Sequence, residues 1–399
     1  MISETSCDDP VRLGVIGLGR AFMLTLPAFR LDRRVQLVAA SEPRETSRAA
    51  FAKEFGGRAY ESVEELCADP AVEAVYVATP HELHVEHVLA AAHGGKHVLV
   101  EKPLAIALAD ARTMVDACAE AGITLLVGPS HSYDTPVRLA RSIIDGGKVG
   151  RVRMIHTLNY TDFLYRPRRP EELQTEHGGG VVFSQGIHQV DVVRLLAGGL
   201  ARNLTAFTGR WDQTRSTEGA YTALLSFDEA VACLTYSGYA HFDSDTWMDN
   251  IGELGLRKDP ANYGGARRAL AKLQSPEEEI QLKASRTYGV SEERGGEPET
   301  YEHFGPVIIS CDHADLRLTP YGVHLYSDAA RSFLPTPQFR HPRSEVIDIL
   351  FSALRRSQRP VQTGAWGLAS LEVCHAILKS AETGASVRLQ YQIDLKGNP

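Results

Sequence analysis

Apolar runs alternate with helical patterns through the first third of the chain. The strand-like segments are VRLGVIG, VQLVAAS, AVEAVYVAT, HVLVEKP and TLLVGPS, and a stretch with helical periodicity separates each from the next. Buried parallel strands form such continuous apolar runs because helices cover both faces of their sheet. The pattern predicts a doubly wound α/β domain over residues 1–130.

After residue 130 the chain changes to segments rich in Thr, Tyr, Val and Ile, such as RVRMIHTLNYTDF and AYTALLSFDEAVACLTYSGYA. These segments predict an open, mostly antiparallel sheet, so we expect residues 131–399 to form an α+β substrate and oligomerisation domain. We interpret the charged stretch near 250–305 as an insertion, mainly a solvated surface excursion, with one helix around residues 266–273. Two C-terminal helical patterns are expected to pack back at the domain junction.

Composition narrows the classes of partner. The net charge of -8 gives no positive field for nucleic acid or an acidic membrane, and no apolar run is long enough to span a bilayer. The N-terminal segment has acidic residues where a secretory signal has basic ones, and the six cysteines show no paired spacing. We therefore expect a cytoplasmic protein that binds neither nucleic acid nor membrane.

A glycine motif, GVIGLGRA, follows the first strand and opens the first helix. Gly17 and Gly19 allow a tight turn and close approach of the backbone to a pyrophosphate, as in a Rossmann dinucleotide fingerprint. The third glycine of that fingerprint is missing, since Phe22 stands there. Glu42 ends the second strand where it can bind an adenosine ribose, which favours NAD, while Arg44 keeps NADP open as the alternative.

Two later segments carry groups suited to proton and hydride chemistry. Lys102, in VLVEKPLA, lies at the carboxyl end of a strand, where it can hold negative charge on a substrate hydroxyl. The segment GGGVVFSQGIHQVD spaces Ser184, His188 and Asp191 so that one helix face carries all three, and Asp191 can orient the imidazole. A metal site of His188, Asp191 and His177 is the weaker alternative, and we predict no metal.

In order and spacing, GVIGLGRA, VYVATPHELHVEHV, VLVEKPLA and GGGVVFSQGIHQVD resemble the glucose-fructose oxidoreductase and inositol dehydrogenase family (Gfo/Idh/MocA). The resemblance implies a Rossmann domain, an open-sheet domain and an active site in the cleft between them. It implies that Lys102 bridges the nicotinamide ribose and the substrate and that His188 is the acid or base. Together with the fingerprint, it gives the expected cofactor contacts as Gly17, Leu18, Gly19, Arg20, Ala21, Glu42, Arg44, Ala78, Thr79, Pro80, His84, Glu101 and Lys102.

One position departs from that family, because many members carry Asp where this chain has Ser184. A hydroxyl cannot hold negative charge near neutral pH, so the usual sugar-oxidising relay is in doubt. A narrower resemblance of LGRAF, DFLYRPRRPEEL and the histidine segment to the phthalate cis-dihydrodiol dehydrogenases of the family implies a carboxylated aromatic cis-dihydrodiol as substrate. The expected substrate contacts, arginine forks for carboxylates among them, are Arg166, Arg168, Arg169, Ser184 and Gln185.

Several alternatives stay open at this point. YRPRRPEE is also typical of a surface loop whose arginines pair with Glu171 and Glu172. The same fold serves sugar and inositol dehydrogenases, NAD-dependent glycosidases and non-catalytic NAD-binding regulators. The presence of both Lys102 and His188 favours an enzyme, which we expect to be a homo-oligomer formed through the exposed sheet.

Overall fold

The computed structural model describes residues 9–290 and 296–398. The N-terminal segment 1–8, which includes Cys7 and on which the signal-peptide prediction rests, and residues 291–295 of the predicted insertion lie outside the described residues. The elements in chain order are β1 (Val11–Ile16), α1 (Arg20–Leu31), β2 (Val35–Ser41), α2 (Glu45–Phe55), β3 (Arg58–Tyr60), α3 (Val63–Ala68), β4 (Ala74–Val77), α4 (His84–His93), β5 (His97–Val100), α5 (Leu108–Glu120), β6 (Leu125–Val127), α6 (Thr135–Asp145), β7 (Val152–Tyr160), α7 (Ile187–Ala197), β8 (Ala201–Gly209), β9 (Ala220–Phe227), β10 (Val231–Ser237), α8 (Gly265–Leu270), α9 (Pro276–Ala284), β11 (Val307–Cys311), β12 (Ala314–Thr319), β13 (Gly322–Ser327), β14 (Arg331–Pro335), α10 (Ser344–Arg355), α11 (Gly364–Thr383) and β15 (Val387–Arg388).

Two compact units make up the chain. The first contains Met1–Pro129, Ala284–Gly295 and His341–Leu368, and the second contains Ser130–Lys283, Gly296–Arg340 and Ala369–Pro399. The sequence alone does not show that the two later segments belong to the first unit, because this assignment depends on tertiary packing. No helix in the described part of the chain is long and apolar enough to cross a membrane.

The first unit is built on a parallel sheet with the strand order β3-β2-β1-β4-β5-β6. All of β4 is buried, and so are five of the six residues of β1, because helices cover both faces. This strand order is that of a Rossmann fold, whose ligands bind beyond the carboxyl ends of the strands. The predicted doubly wound α/β domain is confirmed.

The second unit is built on a sheet of nine strands in the order β14-β13-β12-β11-β7-β10-β9-β8-β15. Among the described strands of this sheet, only the pair of β7 and β10 is parallel, and the other pairs are antiparallel. Exposed and buried residues alternate along β8 and β9, so one face is covered and the other is exposed. The predicted open, mostly antiparallel sheet is confirmed.

The histidine segment is helical, but not as a regular α-helix. A π-helical turn, Val182–Gly186, runs directly into α7, and ten of the eleven residues of α7 are buried. A π turn changes the angular spacing of side chains and is often found at functional sites. The predicted helix through this segment is confirmed, but the turn that contains Ser184 is π-helical and not α-helical.

The stretch near 250–305 contains two helices, α8 and α9, where the sequence predicted one, and neither helix has a buried residue, so most of the described stretch is at the surface as predicted. Ile251 is fully buried, and Tyr288, Tyr301 and Phe304 are each at most 5% exposed. Within the first unit, Ser47 Oγ donates to the Tyr288 carbonyl at 2.7 Å. These four residues depart from the predicted surface excursion, because their apolar side chains are buried.

Candidate active site

The fingerprint turn between β1 and α1 has the backbone geometry that phosphate binding needs. Gly17 has a φ of 91°, and a Cβ there would lie 2.8 Å from Thr79 Cγ2 and 3.1 Å from the Ala78 carbonyl oxygen. Gly19 is the N-cap of α1, and Arg20 and Ala21 open that helix. The turn and the loop after β4 thus lie side by side, and the residues present fit a dinucleotide pyrophosphate.

Buried Glu42 and partly exposed Arg44 form an ion pair just after β2. Arg44 Nε donates to Glu42 at 2.7 Å, and the Leu18 amide donates to the same carboxylate at 2.8 Å. Burial alone would raise the pKa of Glu42, but the hydrogen bonds from Arg44 and Leu18 outweigh it and lower that pKa. Glu42 is therefore ionised, as a ribose acceptor must be, and Arg44 is already engaged by it, which favours NAD over NADP.

His84 is buried between the loops after β4 and β5. Its side chain has no exposed surface, and its ring nitrogens lie 3.0 Å from the Pro103 carbonyl oxygen and 3.1 Å from that of Thr79. His87, also buried, has its Nδ1 3.0 Å from Thr79 Oγ1. His84 thus holds the loops after β4 and β5 together through its ring nitrogens.

Glu101 is buried directly before Lys102, at the end of β5. It accepts a hydrogen bond from Tyr76 Oη at 2.5 Å, and Arg343 Nη1 lies 4.0 Å from its carboxylate. Burial raises the pKa of Glu101, against the opposing charge of Arg343. The carboxylate is thus held inside the first unit, where it anchors the loop that carries the half-buried Lys102.

A cluster of ionisable groups surrounds His188 in the second unit, which we call the histidine cluster. His131 Nδ1 lies 2.7 Å from Asp134 Oδ2, and its Nε2 lies 3.6 Å from Glu253 Oε1. The two imidazole rings meet edge to face with centroids 4.7 Å apart, and Ser130 Oγ lies 3.3 Å from His188 Nδ1. The members are Ser130, His131, Asp134, His188, Glu253 and Glu302.

Carboxylates dominate the histidine cluster. Burial alone would lower the pKa of His131, but the charge and hydrogen bond of Asp134, followed by those of Glu253, raise it to about 10. The possible ligand atoms of His131, His188 and Glu253 lie within 4.8 Å of one another, as do those of His131, Asp134 and Glu302. Neither group contains Asp191 or His177, the partners in the metal alternative from the sequence.

Asp191 and Gln185 are buried on either side of His188 along the chain. Asp191 Oδ1 lies 3.5 Å from Ser370 Oγ. Gln185 Oε1 accepts a hydrogen bond from Tyr236 Oη at 3.2 Å. The structure thus places Gln185 against an aromatic side chain of the second unit, which the sequence did not indicate.

Three buried aromatic rings connect the histidine cluster with the predicted arginines through ring contacts. Phe304 packs against His188 with centroids 5.0 Å apart and stacks on Tyr236 at 6.1 Å. Tyr236 in turn meets Phe163 edge to face at 6.5 Å, and the Arg168 guanidinium lies 3.6 Å above the Phe163 ring. We call Phe163, Tyr236 and Phe304 the aromatic wall.

Arg166 lies near two carboxylates, one of which belongs to the histidine cluster. Its Nε lies 3.1 Å from Asp162 Oδ1, and its Nη1 lies 3.9 Å from Glu253 Oε2. Burial would lower the pKa of Arg166, but Glu253 and Asp162 outweigh it and raise that pKa. Arg166 is therefore a neighbour of the histidine cluster as well as a member of the predicted arginine segment.

The other arginines belong to a second group, which we call the arginine cluster. Arg215 donates to Glu279 at 2.9 Å, Lys283 Nζ lies 2.6 Å from Glu172 Oε1, and Arg168 Nη1 lies 3.7 Å from the same atom. Arg169 also pairs with Glu172, at 3.7 Å, which agrees with the alternative left open above. The members are Arg168, Arg169, Glu172, Arg215, Glu279 and Lys283.

Cations outnumber carboxylates in the arginine cluster. Burial lowers the pKa of Arg168 to about 10, and the charges of Arg166 and Arg215 add to it against that of Glu172. Burial likewise lowers the pKa of Lys283 to about 8. Arg168 Nε and Arg215 Nη2 are buried without a hydrogen-bond partner among the described residues. The cluster therefore has unused donors and an excess of positive charge, both of which a carboxylate would satisfy.

Family models match both units. The oxidoreductase family model with an NAD-binding Rossmann fold matches residues 11–129, and the GFO/IDH/MocA C-terminal domain model matches residues 137–256. The second match includes His188 and Glu253. The two matches occur in the order that the sequence motifs indicated.

Individual relatives agree with these matches. The chain is 45% identical over 381 residues to the 1-carboxy-3-chloro-3,4-dihydroxycyclohexa-1,5-diene dehydrogenase of Comamonas testosteroni, covering 93% of this chain and 95% of the relative. A crystal structure of a candidate dehydrogenase from Bordetella bronchiseptica RB50 has a TM-score of 0.90 and 40% identity, covering 95% of this chain and all of that one. A levoglucosan dehydrogenase in complex with NADH and levoglucosan shares the fold, with a TM-score of 0.70 at 17% identity, covering 96% of this chain and all of that one. The chain belongs to the Gfo/Idh/MocA family of NAD-binding oxidoreductases.

Proposed function

We propose that this enzyme oxidises a carboxylated cis-dihydrodiol of an aromatic ring with NAD, the phthalate 4,5-dihydrodiol type being the first candidate. The arginine cluster carries the proposal, because buried Arg168 and Arg215 keep unused donors beside the aromatic wall. A flat ring with carboxylates matches both features. The name of the Comamonas relative, a carboxylated dihydroxycyclohexadiene dehydrogenase, supports the same class.

We assign roles in hydride transfer to Lys102 and His188. Bound NAD supplies the hydride acceptor, C4 of its nicotinamide, and the residues around Gly17 and Glu42 would hold it. Lys102 donates a hydrogen bond to the carbinol oxygen and stabilises its developing negative charge. His188 accepts the hydroxyl proton at Nε2, because Nδ1 faces Ser130 Oγ and can donate to it.

Oxidation of the carbinol breaks its C–H bond and its O–H bond. The carbinol C–H bond breaks and its electron pair leaves as hydride to the cofactor, while the O–H proton moves to His188. The carbon–oxygen bond becomes a carbonyl, and the resulting hydroxyketone tautomerises to a catechol. Aromatisation makes the oxidation favourable, and a sugar substrate would not provide this driving force.

We also propose that the enzyme is a homo-oligomer through the exposed face of the nine-stranded sheet. Met154, Phe207, Leu224 and Ile308 are between 38% and 68% exposed on four of its strands. A monomer rarely leaves an apolar row of this kind open to water, and a second copy would cover it. Sedimentation should give a dimer or larger species, and Leu224→Lys should shift the enzyme towards the monomer.

A cytoplasmic location is the remaining proposal from the sequence. The described cysteines form no disulfide, and the reaction needs a supply of NAD. Fractionation of the native cells should place the activity with the cytoplasmic contents. Recovery with the periplasmic fraction would contradict this location.

One assay tests the proposed function. Absorbance at 340 nm should report NADH formation across carboxylated cis-dihydrodiols, inositols and aldoses, with NAD and NADP compared for each. We expect the highest kcat/KM with a carboxylated dihydrodiol and NAD. A preference for an inositol or an aldose would contradict the substrate class, and turnover without net NADH would indicate glycosidase chemistry.

A further inference from the structure

The proton acceptor His188 lacks the acidic neighbour that many relatives carry four residues earlier, because Ser184 stands there. A carboxylate from a distant part of the chain lies beside it instead. We infer that Glu253 is the carboxylate that stabilises His188 when it accepts the substrate proton, and that it is a positioning residue for this reaction. The inference rests on the proposed function, since it assigns Glu253 a part in the same proton transfer.

Backbone hydrogen bonds at and beside Glu253 fix its position. The Gly252 amide donates to the Leu256 carbonyl at 2.7 Å, and the His303 amide donates to the Glu253 carbonyl at 3.2 Å. Gly255 closes the turn with a φ of 74°. A tight turn therefore presents the carboxylate, which Arg166 at 3.9 Å and His131 at 3.6 Å hold from two sides.

The effect of Glu253 on a protonated His188 depends on the other charged groups nearby. A possible ligand nitrogen of His188 and a carboxylate oxygen of Glu253 lie within 4.8 Å of each other. His131 is a cation at a ring distance of 4.7 Å, and it would oppose a second positive charge on His188. Other groups around the two imidazoles are Asp134, which pairs with His131, Glu302 and His303 from the segment before β11, Arg166 with Asp162, and Asp191 with Arg194 on α7.

Glu253 offsets this opposition because it lies close to both imidazoles. With Glu253 ionised, carboxylates outnumber the cations beside His188, and an imidazolium there is stabilised. Without that charge, the proton would move onto His188 against the field of His131. In this inference, Glu253 takes the part of the acid that is missing at Ser184, although the two residues are far apart in the sequence.

Metal binding by the same three groups is the competing interpretation. His131 has a carboxylate at each ring nitrogen, an arrangement that holds a proton on both. A protonated imidazole cannot coordinate a metal ion. The geometry therefore favours a proton site, and chelation decides between the two interpretations.

The test compares Glu253→Gln with Glu253→Asp, and with Glu299→Gln as the control, since Glu299 is half-exposed and pairs with Arg257 at the surface. In Glu253→Gln we expect kcat to fall about 10-fold or more, with KM changed less than about two-fold. The acid limb of the kcat profile should move to lower pH by about one unit, because His188 loses a stabilising anion. Glu253→Asp should restore most of the rate, and Glu299→Gln should match the parent.

A second readout needs no substrate. NMR titration of isotopically labelled histidine should show the midpoint of His188 at lower pH in Glu253→Gln than in the parent. An unchanged midpoint and an unchanged profile would overturn the inference, and so would loss of activity on EDTA treatment with recovery on adding zinc. Failure of the proposed function looks different, since the parent would then form no NADH from any dihydrodiol while the midpoint still moved.

Discussion

The histidine cluster and the arginine cluster lie in the same unit and have opposite charge balances. In the first, Asp134 and Glu253 surround His131 and raise its pKa to about 10. In the second, burial and neighbouring cations lower the pKa of Lys283 to about 8 and that of Arg168 to about 10. One cluster holds a proton on His131 strongly, and the other has more cations than carboxylates.

Under the proposed function, the two clusters have different tasks. A proton acceptor works best where nearby carboxylates stabilise its protonated form. A site that binds a carboxylate works best where buried cations have hydrogen-bond donors without a partner. The aromatic wall joins the two clusters through Phe163, Tyr236 and Phe304. A flat, carboxylated substrate would use both clusters at once.

The largest expected effect is at the histidine cluster. In His188→Ala, kcat should fall about 100-fold or more, because the positioned proton acceptor is lost. NAD binding should stay within about two-fold of the parent, since the cofactor contacts belong to the first unit. Steady-state kinetics and fluorescence titration with NADH measure the two quantities, and a kcat within a few-fold of the parent would contradict the role of His188.

The next effect is at the arginine cluster. In Arg168→Gln, KM for a carboxylated dihydrodiol should rise about 10- to 100-fold, because a charge-assisted hydrogen bond contributes about 1.5–3 kcal/mol. Arg169→Gln should raise it less, since Arg169 pairs with Glu172 and is partly exposed. Arg202→Gln is the matched control, because Arg202 pairs with Asp228 in the exposed part of the sheet. Equal KM values in all three variants would contradict carboxylate binding at Arg168.

A third effect concerns stability and pH. The folded-state pKa of His131 is about 10, above its ordinary value of 6.5, so its stabilising contribution is complete below pH 6.5 and is lost as pH rises towards 10. His131→Gln should therefore lower the free energy of unfolding by about 1–3 kcal/mol at pH 6, and less at pH 9.5. Urea unfolding at both pH values measures the difference. A loss that does not depend on pH would show that the carboxylates do not hold His131 as a cation.

The smallest effect is at Lys283. Because its pKa is about 8, its ammonium group loses the proton as pH rises through that value, and the cation excess falls. KM for a carboxylated substrate should rise about three-fold between pH 7 and pH 9. In Lys283→Arg the charge persists, so this rise should disappear. A profile that is identical in both proteins would assign the pH dependence to another group.

Local patterns were sufficient to predict both sheets. Continuous apolar runs such as that of β4 and alternation such as that of β9 arise from neighbouring residues, so the sequence alone contains them. The proposed roles of Gly17, Lys102 and His188 also rest on single motifs. Each of these residues lies at the end of a strand or on one helical segment.

The histidine cluster was less accessible because it joins distant segments. His131 and Asp134 follow the end of β6 within seven residues along the chain, and their spacing was an available signal. Glu253 gave none, since it is one acid among many in a charged stretch. Its neighbours are set only when the turn at 252–256 packs against the rest of the second unit.

The preference for a carboxylated ring tests the central claim most directly. The measurement is the ratio of kcat/KM for a carboxylated cis-dihydrodiol to that for the same diol without the carboxylate, in the parent and in Arg168→Gln. We predict a ratio of about 100 or more in the parent and a fall of at least about 10-fold in the variant, because the carboxylate meets the buried arginine. A ratio near one in the parent, or an equal ratio in both proteins, would contradict it.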